Sequence, residues 1–221
     1  MFILFEGGEG AGKSTQAKAL YRYLSRQGFP VVLTKEPGGT PLGRELRRLL
    51  KHEAGMAIDP LTELFLFAAS RAQLVSKVIR PALEQDKIVI CDRFAESTLA
   101  YQGYGRGLDL KLIEKINYLA TGGLSPDLIF LLDLEVEEGL RRCGRTRLKD
   151  RFEQEDLSFH QRVREGYLKM ARADPTHWVI LDGTQPKAEI QRLVQKHVRE
   201  VLFPEKKQEH LLPHNFTVQS S

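Results

Sequence analysis

The chain of 221 residues has only two cysteines, Cys91 and Cys143, and they stand at no metal-ligand spacing. A disulfide framework or a structural zinc site is therefore excluded, and reduced, cytoplasmic thiols are the expectation. No run of eighteen apolar residues occurs, so a membrane-spanning helix is not expected. The first residues read as a strand that meets a glycine loop, with neither the basic start nor the cleavage site of a signal peptide. Charge of one sign is also scarce: the net charge of +4 does not by itself point to nucleic acid. No internal repeat, no N-K-x-D guanine-reading motif and no Ser-His-Asp constellation appear, and His52, His160 and His177 are scattered. What remains is ordinary for a globular protein, 42% apolar and 28% charged residues.

Short apolar runs at 2–6, 30–35, 87–92, 127–133 and 177–182 read as strands covered on both faces, because they lack polar alternation. Helical patterns separate them, at 13–27, 40–52, 60–84, 94–102, 109–121, 135–143, 157–172 and 186–202. Strands alternating with helices imply right-handed crossovers and a five-stranded parallel sheet in a three-layer α/β domain. The expected domain covers residues 1–203, with a charged lid at about 144–156 and a polar tail from 204 to 221.

The stretch "FILFEGGEGAGKST" runs from the first strand into G-x-x-x-x-G-K-[ST], with Gly7, Gly12, Lys13 and Ser14 at the fixed places. Such a loop turns backbone N–H groups of residues Gly7, Gly8, Glu9, Gly10, Ala11 and Gly12 toward phosphates, and the following helix aims its positive end at them. Lys13 can reach the β and γ phosphates and Ser14 can ligate Mg²⁺, with Thr15 beside it. This reads as a P-loop that cradles a nucleotide triphosphate, with a chance glycine-rich turn as the alternative; GTPases, motor ATPases and small-molecule kinases share such a loop. Glu9 is out of place in such a loop unless it points elsewhere or meets a cation. Asp92 ends an apolar strand where a second Mg²⁺-holding acid belongs, although an acid merely ending a buried strand reads the same way.

Arg93 follows at the carboxyl edge of the sheet, where ligands bind in open α/β folds. Its planar fork suits a second phosphate. Phe67 and Arg71 share a helix face at i, i+4 spacing, a ring and a cation that suit a nucleobase but also suit core and surface. Arg141, Arg142, Arg145, Arg147 and Arg151 crowd the charged segment. A solvated face reads like this, and so does a lid that closes over a transferring phosphoryl group, with Arg151 the candidate. A phosphate acceptor is mostly deprotonated at neutral pH, so no general base is required.

Six stretches together resemble the bacterial thymidylate kinases: "FEGGEGAGKST", "TKEPGGTPLGRELR", "ELFLFAASRAQLV", "VICDRFAESTLAYQGYGRG", "DLIFLLDL" and "KDRFEQED". The resemblance implies transfer of the γ-phosphoryl of ATP to dTMP with Mg²⁺, in a cytoplasmic homodimer that uses neither nucleic acid nor membrane. It further implies catalytic roles for Lys13, Arg93, Arg151 and Glu9, and metal roles for Ser14 and Asp92. It places Glu36, Pro37, Phe67, Arg71, Ser97, Thr98, Tyr101 and Gln102 around the dTMP, with a cis bond between Glu36 and Pro37. Glu9 would then read the 3′-hydroxyl of dTMP. The loop carries no arginine, so the lid would supply it. "DGTQ", residues 182–185, resembles the loop flanking the adenine. Other monophosphate kinases, a nucleotide switch and an inactive binding module are the alternatives.

Overall fold

A computed structural model of the chain describes residues 1–52, 57–144 and 150–203. The tail from 204, Arg145 and Arg147 therefore lie outside the described residues. The five strands are β1 (Phe2–Glu6), β2 (Val31–Lys35), β3 (Ile88–Asp92), β4 (Leu128–Asp133) and β5 (Trp178–Asp182). They form one parallel sheet in the order β2-β3-β1-β4-β5. Strand β1 is buried along its whole length, which is why its residues show no polar alternation.

Its side chains divide between two cores. Phe2 and Leu4 join Val89, Cys91, Ile129 and Leu131 on one face, while Ile3 and Phe5 join Ile90, Phe130 and Leu132 on the other. The second face is covered by α1 (Lys13–Arg26) and α9 (Lys187–Leu202), through residues such as Leu20, Leu24 and Val194. The first is covered by α3 (Pro60–Leu74), whose run continues through a π-helical segment, Val75–Ile79, into α4 (Arg80–Leu83), and by α8 (Leu157–Ala173). Asp59 caps α3 by accepting from the Leu61 N–H at 2.9 Å, with Pro60 in the first turn.

The remaining helices are α2 (Pro41–His52), α5 (Ala95–Thr98), α6 (Leu110–Thr121) and α7 (Val136–Cys143). The helix expected at 94–102 is α5 followed by a π-helical segment, Leu99–Gly105. Regular α geometry and a π turn share nearly the same apolar spacing, so the pattern alone does not separate them. Bulges of this kind gather at functional sites, and this one carries Tyr101 and Gln102. Among the described residues no helix is long and apolar enough to cross a membrane.

Candidate active site

The loop between β1 and α1 sits at the carboxyl edge of the sheet, opposite the ends of β3 and β4. Gly7 has φ +136°, and a side chain there would collide with the Leu132 backbone. Gly10, at φ +68°, lies against the Gly139 carbonyl of α7, so this helix packs backbone to backbone on the loop. Lys13 is buried and donates to the Gly8 carbonyl at 2.5 Å. Burial, assisted by the charge of Arg93, pushes its pKa down to about 8. The Ser14 hydroxyl donates to Asp92, which joins a hydroxyl and a carboxylate oxygen at the head of α1.

Glu9 turns away from the loop's own cradle. Its Oε1 accepts from Arg93 Nη2 at 2.9 Å and from the Tyr101 hydroxyl at 2.8 Å. Burial pushes its pKa up, but Arg93, Lys51 and Lys13 outweigh that and hold the carboxyl well below the usual range. Arg93 adopts φ +72°, a strained conformation for a residue with a side chain. Its other nitrogen reaches Ser97 Oγ at 3.2 Å and the Tyr167 hydroxyl at 3.0 Å.

Beneath this pair lies Glu6, fully buried, which accepts from the Phe94 N–H, Ser97 Oγ and the Tyr167 hydroxyl at 2.7–2.8 Å. Burial raises its pKa, against the opposing charge of Arg93. Sequence reasoning missed both Glu6 and Tyr167. An acid closing an apolar strand buried on both faces was the available signal for Glu6; Tyr167 offered none.

Two spaces meet here. The wider cleft opens about 890 Å³ and is lined by residues Gly10 to Gln16 of the loop and helix, by Asp92 and by Lys187. Gly183 and Gln185 of the "DGTQ" stretch line it, as does Arg142, which donates to the Gly183 carbonyl at 3.1 Å. The second space is lined by Phe67, Arg71, Ser97, Thr98, Tyr101 and Gln102, among others. It leaves only about 30 Å³ open, room for about two waters. Phe152 packs across it, its ring centroid 5.9 Å from those of both Phe67 and Tyr101.

Arg71 is buried and spends its donors inside the protein. Nη2 is 2.7 Å from Glu36 Oε1 and Nε donates to Oε2 at 3.2 Å, while Thr98, Asn117 and the Phe94 carbonyl also accept from the guanidinium. Burial raises Glu36 to about 7, and Arg71 offsets only part of that. The Glu36-Pro37 bond is cis, as expected. Pro37 lines neither space, and its carbonyl accepts from Arg47 at 3.2 Å. Gly7 and Gly8 shape the loop without lining the cleft. Arg151 lines neither space: it donates to the Leu50 carbonyl at 3.0 Å and pairs with Glu63 on α3. Glu63, fully buried, also accepts from Gln102 at 2.6 Å and from Arg106 at 3.2 Å. It too went unread in the sequence.

The thymidylate kinase family profile matches residues 5–194. The chain belongs to the thymidylate kinase family. It is 52% identical to the thymidylate kinase of Dehalococcoides mccartyi over 202 residues, covering 91% of this chain and 97% of that one. It is 49% identical to the thymidylate kinase of Thermosynechococcus vestitus, over 89% and 86% of the two chains. The crystal structure of thymidylate kinase from Ehrlichia chaffeensis superposes with a TM-score of 0.73 at 38% identity, covering 90% of this chain and 98% of that one. The fold of this family member is thus the thymidylate kinase P-loop fold, with an ATP-type cradle on one side of Glu9 and Arg93 and an aromatic pocket on the other.

Proposed function

We propose that this protein phosphorylates dTMP to dTDP, with ATP as the donor. One observation carries the reading: the phosphate-loop cleft and the aromatic pocket share a border made of Glu9, Glu36, Lys51 and Arg93. Two phosphorylated ligands placed in the two spaces meet there, as direct transfer between them requires.

In this reading the loop's N–H groups and Lys13 hold the triphosphate. Ser14 and Asp92 are oxygen ligands of the kind Mg²⁺ takes, and they would hold the ion that neutralises charge on the β and γ phosphates. Arg93 binds the acceptor phosphate, and Glu9 accepts from the sugar's 3′-hydroxyl. Phe67 stacks on the base, with Arg71, Thr98 and Gln102 at its edge. A pyrimidine does not fit the present opening, so Phe152 gives way as dTMP enters. Arg151 acts as the lid arginine by exchanging Glu63 for the transferring phosphoryl group. That exchange does not strand a bare carboxylate, because Arg106 and Gln102 stay on Glu63.

A coupled assay with ATP, Mg²⁺ and a panel of monophosphates tests the assignment. We expect dTMP to turn over fastest and dUMP to trail by about 10–200-fold, since one methyl in an apolar pocket discriminates by about 1–3 kcal/mol. Faster turnover of UMP or AMP would overturn it.

The same reading makes the protein a cytoplasmic homodimer built from a single domain, residues 1–203. Leu61 and Phe65 of α3 and Leu112, Tyr118 and Leu119 of α6 are exposed large apolar residues on two helices that pack together. Such a concentration on one region marks an interaction surface. Light scattering should give twice the chain mass of 25.2 kDa. A monomer at micromolar concentration would count against the interface.

A further inference from the structure

Three of the four residues on the border between the two spaces, Glu9, Glu36 and Arg93, belong to the set expected to act on dTMP. The fourth, Lys51, stands at the end of α2, and nothing in its sequence context, "RRLLKH", suggests chemistry. We propose that Lys51 is a further catalytic residue, whose ammonium contacts the phosphoryl group as it passes from donor to acceptor.

The inference rests on the kinase reading above and on where positive charge remains available. Phosphoryl transfer spreads negative charge over the moving group's oxygens, and preorganised cations at that point stabilise it. Lys35 and Arg47 line the cleft but not the border, and the buried cations nearer to it are committed to partners or to the two phosphates. Lys13, which also makes one hydrogen bond, to the Gly8 carbonyl, is assigned to the triphosphate in that reading. Both terminal nitrogens of Arg93 are bound, one between Glu9 and Tyr101 and the other between Ser97 and Tyr167. Arg71 is enclosed by Glu36, Thr98, Asn117 and the Phe94 carbonyl.

Lys51 differs. Its ammonium makes one hydrogen bond, to Asp150 Oδ2 at 2.7 Å, and lies 5.8 Å from the Phe152 ring centroid. An ammonium carries three N–H groups, so two remain without a partner among the described residues. Its side chain is only 10% exposed, and it lines both spaces. The anchor is itself fixed: Asp150 is buried, and its Oδ1 accepts from the N–H groups of Phe152 and Glu153 at 3.0 and 3.1 Å. Asp150 therefore aims Lys51 without using up its charge, and ties its position to the segment that carries Arg151.

A role as mere anchor for that segment predicts something different, and the two separate by mutation. Lys51→Gln keeps a hydrogen-bond donor for Asp150 but removes the charge; Asp150→Asn keeps the turn-capping oxygen and weakens the anchor but leaves the charge. With ATP, Mg²⁺ and dTMP, Lys51→Gln should lower kcat by about 10²-fold, the scale for one preorganised donor, while both KM values stay within about threefold. Asp150→Asn should lower kcat by clearly less than Lys51→Gln does, since the charge stays on the border while its aim is loosened. Lys51→Arg, which restores the charge, should recover part of the lost kcat. Equal losses in Lys51→Gln and Asp150→Asn would reduce Lys51 to an anchor, and an unchanged kcat in Lys51→Gln would remove it from catalysis. Native protein that leaves dTMP unphosphorylated would overturn the kinase reading and this role with it. Active native protein beside an equally active Lys51→Gln would overturn the Lys51 role alone.

Discussion

Arg93→Lys should lower kcat/KM for dTMP by about 10³-fold or more, although the charge is retained, because a phosphate-binding arginine contributes on that scale. Arg93 spans two groups of partners with two separate nitrogens. One meets Glu9 and Tyr101, each at 2.9 Å, and the other meets Ser97 and Tyr167 at 3.2 and 3.0 Å. The guanidinium carbon also lies 4.9 Å from the Tyr101 ring centroid, in the range of a cation–π contact. A single ammonium cannot bridge both groups, nor can it fork onto a phosphate. The strained φ of +72° is tolerated because these bonds over-determine the residue, so weakening them lowers stability as well. Half-buried Glu9 would lose its hydrogen bond from Nη2 at the same time. ATP affinity should change little, because in the proposed reading the loop's backbone and Lys13 hold the triphosphate. Isothermal titration with ATP and steady-state kinetics with dTMP check both halves. Arg93→Lys within tenfold of native kcat/KM, or a parallel collapse of ATP binding, would contradict the assignment.

The sheet and its order of elements were legible because a strand covered on both faces must be apolar throughout, as "FILFE" and "DLIFLLD" are. Residues adjacent in sequence to a motif were legible for the same local reason. Lys13 and Ser14 follow the glycines, and Asp92 and Arg93 end a strand. The unread members of the site are those whose significance arises only through space. Tyr167 reaches Glu6 across 161 residues of chain, and Arg151 reaches Glu63 across 88. Lys51 becomes remarkable chemically only once α2 ends at the border and Asp150, 99 residues away, receives its ammonium. Arg151, proposed above as the lid arginine, illustrates the division. Its charge and segment could be read in advance, but its present partner, and hence the exchange it must make, could not.

Arg71→Leu should produce the largest loss of stability, and that loss should grow with pH. Arg71 is 1% exposed and Glu36 3%, so the pair is fully inside the protein. Removing one partner of a buried pair costs about 3–5 kcal/mol, because the other charge is left uncompensated. At this chain length each kcal/mol moves Tm by about 2–4 °C, so a drop of roughly 6–20 °C is expected at neutral pH. The pH dependence follows from Glu36. Its folded pKa of about 7 lies above the ordinary 4.5, through burial that Arg71 only partly offsets. The folded state therefore binds the proton more tightly, and the associated stability is complete below 4.5 and lost as pH rises through about 7. Without Arg71 the folded pKa climbs further, so ionising Glu36 above neutral pH costs the variant more than the native protein. At pH 5 Glu36 is protonated in the fold of both proteins, and the deficit shrinks to lost packing and the unpaired Thr98 and Asn117. Melting curves of Arg71→Leu and native protein between pH 5 and 8.5 should diverge with rising pH. Adding Glu36→Gln to the variant should flatten that divergence, since no buried carboxyl then remains to ionise. A deficit independent of pH in the single variant, or one that the second change leaves intact, would show that Arg71 matters for shape and not for holding the charge of Glu36.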